Sequence, residues 1–537
     1  MLTAALWSIK GDHRAATSFR LPLKFSAELF VKKFLVGSLV LLTVFSGLNF
    51  GQTARKPAAA TAQKRADFSV PFVNKTLANG LEVIVLQDSS VPLVTVELAV
   101  RNGSFTESPE FHGLSHLYEH MFFKPNMAAV LQACESSPNR FSLPPICSKA
   151  TDLRSKIGDL AYLSNVGKVD SLRNGTTREE IVNYFFTTTR DYLATAIRHV
   201  NDSVRYPVFD ESEFENEKKV VIGEIDRHEA NPFGYLELAM KQKLFFKYPT
   251  RKDPQGTRES VGTSTLEKMR TIQSRYYVPN NAALVVTGDA KPEEVFKLAE
   301  QILGSWERRP VDPFKEFPLV EHPPLSKSEA VIIERPADTM ADPRGGQNVF
   351  VNLGWHGPSI GKDDAATYAA DVFSYIITQP NSQLQRNLVD SGLASSVNFG
   401  YYTQRNVGPI NLILVTSPEK SKQALKAVYA EINAFTQANY FTDEELESAK
   451  TILENNDLFE REKSSEYAHT LGFWWSSTGI EYFRGYHAKL RAVTRADINK
   501  YLNTYVIGRN RVAIALVTPD GKKQANLTEQ DLIGGGQ

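Results

Sequence analysis

The densest chemistry in the chain lies in Gly113-Leu114-Ser115-His116-Leu117-Tyr118-Glu119-His120-Met121. On a helix, His116 and His120 stand four apart, project from one face and can grip a single metal ion. Glu119 lies beside them. Left uncoordinated, it stands where a general base for an activated water belongs. The pattern is H-x-x-E-H, the inverse of the H-E-x-x-H zinc-protease signature. His112 also lies four before His116, so spacing alone leaves open which pair binds, and two imidazoles on a helix also fit a solvated face. A catalytic zinc takes three protein ligands and keeps a fourth position open, which directs attention to Phe214-Glu215-Asn216-Glu217-Lys218-Lys219-Val220-Val221-Ile222-Gly223-Glu224-Ile225-Asp226. This run reads as a helix with Val220, Val221 and Ile225 apolar, on which Glu217 and Glu224 share a face two turns apart. Spacing does not choose among Glu217, Glu224 and Asp226, and Glu-Lys runs also mark plain surface helices.

Several elements must position these groups. Gly113 and the run Leu114, Leu117, Met121, Phe122 supply a helix start and an apolar face. Asn79-Gly80 between apolar runs predicts a hairpin, and Leu93 to Val100 a second alternating strand. Thr265 to Tyr277 reads as a helix, Ala282 to Thr287 as a strand and Lys291 to Leu303 as an amphipathic helix. A similar ending recurs later, with Arg495 to Tyr505 as helix and Val512 to Val517 as strand. That later half opens with a strand from Val349 to Leu353 and a helix from about Asp363 to Ile376. The fold class expected is therefore α+β, two homologous α/β-sandwich halves arising by duplication. Residues 69–309 form the first and 346–525 the second. The proline-rich, charged stretch 310–345 is expected to be a linker, and 526–537 a flexible tail. The second half's counterpart of the metal helix, Asp364-Ala365-Ala366-Thr367-Tyr368-Ala369-Ala370-Asp371, holds no histidine pair. His356 stands alone before Gly357-Pro358. One active site per chain is the expectation.

His116-x-x-Glu119-His120, with Glu217 and Glu224 downstream, resembles the inverzincin metallopeptidases, the family of pitrilysin, insulysin and the mitochondrial processing peptidase. Further likenesses are Gly113-Leu114-Ser115-His116, Pro207-Val208-Phe209-Asp210 before Phe214-Glu215, and Arg275-Tyr276-Tyr277-Val278-Pro279-Asn280-Asn281-Ala282 before Val285-Val286-Thr287-Gly288-Asp289. The resemblance runs from about residue 69 to 520. It implies a zinc-dependent endopeptidase acting on extended or unfolded peptides, with one zinc per chain held by His116, His120 and Glu224. Glu119 would be the base, and Glu217 would orient a ligand. It also implies that Ile181 to Thr187 lies near a sheet edge beside the metal, where a peptide adds as a strand. Asn174 there would contact the substrate backbone, or serve only as a turn residue before Gly175.

In this family two such halves, or two such subunits, close like a clamshell, and the far half commonly supplies an arginine and a tyrosine. Aligned on Gly392-Leu393-Ala394, those positions are Leu388 and Ser395, with Arg386 off by two. The pair reads as absent, so the chain is expected to form half of a clamshell and to dimerise, preferably with a related subunit supplying Arg and Tyr. A non-catalytic scaffold or chamber subunit of the same fold is the alternative.

The stretch from Pro125 to Lys156 is longer than the family usually has and contains both cysteines, Cys134 and Cys147. Enclosed in one insertion, they fit a local disulfide in an oxidising compartment. With 61 basic and 61 acidic residues, the net charge of zero gives no electrostatic case for nucleic acid. The length of 537 residues calls for more than one core. Lys32-Lys33 followed by the apolar run 34–48 reads as a secretory signal, with residues 1–51 removed or kept as a membrane anchor. An organelle transit peptide is the weaker alternative. Residues 52–68 read as a tether. The expected location is periplasmic or otherwise extracytoplasmic.

Overall fold

The computed structural model describes residues 69–138, 143–157, 172–337, 340 and 347–534. The signal or anchor at 1–51 and the tether at 52–68 lie outside the described residues.

Two sheets organise the described chain. The first holds β1 (Val73–Thr76), β2 (Glu82–Gln87), β3 (Leu93–Val100), β4 (Arg173–Thr177), β5 (Val182–Thr189) and β6 (Ala282–Gly288), in the order β1-β2-β6-β3-β5-β4. The Asn79-Gly80 turn closes the β1–β2 hairpin, with Gly80 at φ 90°, a conformation that favours glycine. The second sheet holds β7 (Glu329–Glu334), β8 (Val349–His356), β9 (Ser396–Tyr401), β10 (Pro409–Thr416) and β11 (Val512–Val517), in the order β7-β11-β8-β10-β9. Its pairing repeats that of β2-β6-β3-β5-β4: the first pair is parallel and the rest antiparallel. The shared topology is the imprint of a duplication. Strands β2, β3, β6, β8 and β11 were legible because their residues alternate or run apolar, whereas β9 and β10 were not read from the sequence.

Two boundaries differ from the sequence reading. The stretch 310–345 is not merely a linker, because β7 lies within it and pairs in parallel with β11. Its apolar run Ala330-Val331-Ile332-Ile333 is a strand, hidden among prolines and charges. Residues 526–537 are not simply a tail either. A short helix, Glu529–Leu532, is capped by Thr528, and Leu532 is fully buried.

On the inner face of the first sheet lies α1 (Leu114–Phe122), which carries the H-x-x-E-H motif. Leu114, Leu117, Tyr118, Met121 and Phe122 pack against Val96, Leu98, Tyr184 and Phe186. Each such burial contributes roughly 1.5–3 kcal/mol. After α1 come α2 (Met127–Glu135) and α3 (Ile146–Asp152), joined by a Cys134–Cys147 disulfide with Cα atoms 5.9 Å apart. Then follow α4 (Leu193–Arg205), α5 (Glu211–Ala230) and α6 (Pro232–Leu244). In the second half, α7 (Asp364–Ile377) stands after β8 as α1 stands after β3, and α8 (Ser464–Ser477) occurs later.

The halves exchange cover. Period-two alternation turns Val83 and Val85 inward and Ile84 and Leu86 outward on β2. The outward set, with Ala99, Ala283 and Val285, is covered by Tyr467, Leu471, Trp474 and Trp475 on or beside α8 of the other half. Reciprocally, Leu236, Met240 and Leu244 of α6 cover Phe350, Val512, Ile514 and Leu516 of the second sheet. Polar contacts pin the first of these interfaces. The Arg101 guanidinium lies 4.1 Å over the Trp475 ring, and the indole N–H donates to Glu82 at 2.8 Å. Within the same interface, His469 Nδ1 bonds Glu97, a fully buried carboxylate on β3.

Burial lowers the pKa of His469, but Glu97 outweighs it and the net shift is upward. Its proton is therefore held more tightly in the fold than in the unfolded chain. The stabilisation is fully present below the unfolded value of about 6.5 and is lost as pH rises through the folded value. Urea denaturation should show Glu97→Gln destabilised by about 1–3 kcal/mol near pH 6. The gap from wild type should narrow as pH rises, and a gap that stays constant with pH would contradict the assignment.

Candidate metal centre

Helix α1 begins at Gly113, whose φ of 82° places it in the left-handed region. The residue also packs closely against Gly256, since a Cβ on Gly113 would lie 2.8 Å from the Gly256 Cα. Buried Glu107 holds this helix start, its two oxygens accepting from the Gly113 and Ser115 N–H groups at 2.7 Å each. Burial pushes the Glu107 carboxyl up to about 7, against those two hydrogen bonds.

Helix α5 crosses α1 and brings Glu224 between the two histidines. His116 Nε2 and His120 Nε2 each lie 3.5 Å from Glu224 Oε2. One ligand atom from each of the three residues lies within 4.8 Å of the others, a set able to hold a metal ion. Zinc–ligand bonds of 2.0–2.2 Å in a tetrahedron put neighbouring ligand atoms about 3.3–3.6 Å apart, and each imidazole nitrogen stands at that separation from Glu224 Oε2. Burial, then the neighbouring His120, hold His116 down at about 4, so its ring is neutral with a lone pair to offer. Burial also disfavours charge on His120, but Glu217 and Glu224 outweigh it and push that ring up to about 10. A cation entering there displaces a proton.

Glu217 accepts from His120 Nδ1 at 2.9 Å, two turns before Glu224 on the same helix face. His120 first, and Lys124 after the opposing effect of burial, hold its carboxyl below the usual range. Asp226, which spacing left as a third option, points away and pairs with Arg258 at 2.6 Å. His112, the other imidazole at helical spacing, turns to Asp253 at 3.1 Å.

Glu119 is buried beside the cluster without joining it. Burial pushes its carboxyl up to about 7, opposed by His120 and by Thr177. Thr177 Oγ donates to Glu119 Oε2 at 2.8 Å. Gly175, two residues earlier on edge strand β4, passes so close that an added Cβ would lie 2.7 Å from Glu119 Cγ. Asn174 sits on the opposite face of that strand, exposed, with its own Oδ1 accepting from the Gly175 N–H. Thr177 escaped the sequence reading, although the two-residue spacing from Gly175 puts both on one face. Lys124 escaped it too, although it stands four after His120.

The remaining candidates lie in the second half. Leu388 is fully buried in its core, the Ser395 hydroxyl donates to the Val415 carbonyl, and Arg386 is exposed. His356 bonds the Leu244 carbonyl at 2.8 Å, a structural role.

The family model for insulinase, peptidase family M16, matches residues 82–129 and 146–253, and the model for the M16 inactive domain matches residues 263–453. The gap between the first two segments falls within the disulfide-linked insertion. A zinc protease of Helicobacter pylori, PqqE, is 22% identical over 434 residues, covering 80% of this chain and 89% of its own. Human insulin-degrading enzyme is 25% identical over 254 residues, 46% of this chain but only 22% of that much longer protein. Among solved structures, a protease from Helicobacter pylori aligns with a TM-score of 0.67 at 20% identity, over 83% of this chain and 99% of that one. That likeness carries the fold, not the activity. The two model matches together take in well over half of the chain, its sheets carry the duplicated topology, and the chain belongs to the M16 peptidase family, in the two-domain, half-length form.

Proposed function

We propose that the chain is a zinc-dependent endopeptidase. The observation that carries this reading is the shared 3.5 Å approach of His116 Nε2 and His120 Nε2 to one oxygen of Glu224, with Glu119 buried alongside. A zinc ion so held would polarise a peptide carbonyl and acidify the attacking water. Glu119 accepts that water's proton and returns it to the departing amine. Its raised pKa suits a group that must both take and give a proton near neutrality. Thr177 aims the carboxylate, and Gly175 leaves it room.

The substrate in this reading is an extended peptide. Among the described residues the only strand paired with β4 is β5, and Gly175 of β4 lies against Glu119. A peptide adding there as a strand presents its carbonyls to the metal, with recognition resting on backbone bonds. Asn174 lies on the same edge. Completion of the site by a related subunit is part of the proposal, because Leu388 and Ser395 supply neither a cation nor a phenol. So is export through the segment 34–48, which agrees with the Cys134–Cys147 disulfide. The absent Arg-Tyr pair also favours a second reading, a chamber subunit without activity of its own.

Three outcomes follow, read on the purified chain with a quenched peptide library and metal analysis. Glu119→Gln should retain stoichiometric zinc yet lose at least about a hundredfold in kcat; wild-type turnover in that variant would end the proposal. His116→Ala should lose the metal, and full zinc retention would refute its ligand role. Zinc present with hydrolysis only on adding a related partner subunit supports the split site. Chelator-sensitive hydrolysis by the chain alone overturns the partner requirement, and zinc-loaded protein inert under both conditions supports the chamber reading.

A further inference from the structure

We propose that Lys124 is a positioning residue of the metal site, holding Glu217 so that Glu217 fixes the His120 imidazole with Nε2 toward the metal. The inference rests on the reading of His116, His120 and Glu224 as metal ligands. Lys124 follows His120 by four residues, just past the end of α1, and both side chains reach the same carboxylate, Glu217. They grip opposite oxygens of one carboxylate: His120 Nδ1 lies 2.9 Å from Glu217 Oε2, and Lys124 Nζ lies 2.5 Å from Glu217 Oε1. A carboxylate held at both oxygens cannot rotate, and the imidazole bonded to it cannot turn about its own axis.

The ammonium is itself held from two directions. Lys124 Nζ also reaches Glu213 Oε2 at 3.1 Å, one turn before Glu217 on α5. The backbone just after Lys124 is tied to the strand-like entry of α5. Met127 N–H donates to the Tyr206 carbonyl at 2.7 Å, and Val208 N–H donates to the Pro125 carbonyl at 3.4 Å. Lys124 therefore stands at a joint where the end of one ligand-bearing helix is fastened to the start of the other. The contrast with His116 is informative, since its buried Nδ1 has no hydrogen-bond partner among the described residues. Orientation by a carboxylate falls on His120 alone, which concentrates on one carboxylate and one lysine a task that such sites usually assign to every histidine ligand.

Lys124→Met keeps the side-chain stem and removes the charge and its donors. In competition with a chromophoric chelator, the zinc dissociation constant should rise about ten- to hundredfold, the range seen when a ligand loses its orienting partner. Lys124→Arg should recover most of the loss. Lys124→Met should add nothing in a Glu217→Gln background, because the lysine acts through that carboxylate. Unchanged affinity, or losses that add in the double variant, would overturn the proposal. A wild-type chain that takes up no zinc would instead overturn the metal-site reading. The positioning claim is then read in the metal-free protein from the His120 Nδ1–H proton resonance, identified by its absence in His120→Gln. Protected in wild type and broadened by exchange in Lys124→Met, it sustains the claim; indifferent to Lys124→Met, it refutes it.

Discussion

One carboxylate oxygen has to sit equally close to two imidazole nitrogens from another helix, and most of the first half answers to that demand. The crossing of α1 over α5 must hold to within a fraction of an ångström for Glu224 to lie 3.5 Å from both rings. Side-chain packing alone does not deliver that, because apolar contacts are forgiving of small slips. Directional bonds do. Glu107 fixes where α1 begins, and Glu217 and Lys124 fix how its far end meets α5. Behind α1, Tyr118 stacks on Tyr277 at 4.0 Å, and the Tyr277 hydroxyl meets that of Tyr184 at 2.6 Å. Beneath the motif, then, lies a rigid aromatic bed rather than a compliant aliphatic one.

Much of this was legible in the sequence, and the illegible part has a physical reason. Helical spacing announced His116 and His120, and strand alternation announced β2, β3, β6, β8 and β11, because these patterns are properties of the local chain. Spacing could not separate Glu217, Glu224 and Asp226, since a helix fixes relative direction but not which face meets a distant partner. His112 illustrates the same limit: it has the right interval and turns to Asp253. Groups that act across elements, such as Thr177 on Glu119 and Glu107 on Gly113, leave no interval to read. β7 was missed because a short edge strand set among prolines and charges carries too little periodicity to stand out.

The two halves now do different work on one plan. Where the first half places α1, with its histidine pair, after its third strand, the second places α7, whose Ala369, Ala370, Val372 and Phe373 are buried as core. The corresponding position in the second half serves packing. The sheet topology around it is the same in both halves, so one scaffold accommodates either a histidine pair or a packed helix at that place.

The reciprocal cover of the two sheets makes that retention intelligible. Since α8 shields the outer face of the first sheet and α6 shields the outer face of its twin, each half keeps its neighbour's apolar layer from water. Cutting the chain between them would leave two fragments, each with a bare sheet face of valine, isoleucine and leucine. Such faces invite aggregation. The second half, which carries no histidine pair on α7, therefore keeps the sheet beneath the histidine pair of the first from water, and solubility alone is reason for the two to stay on one chain.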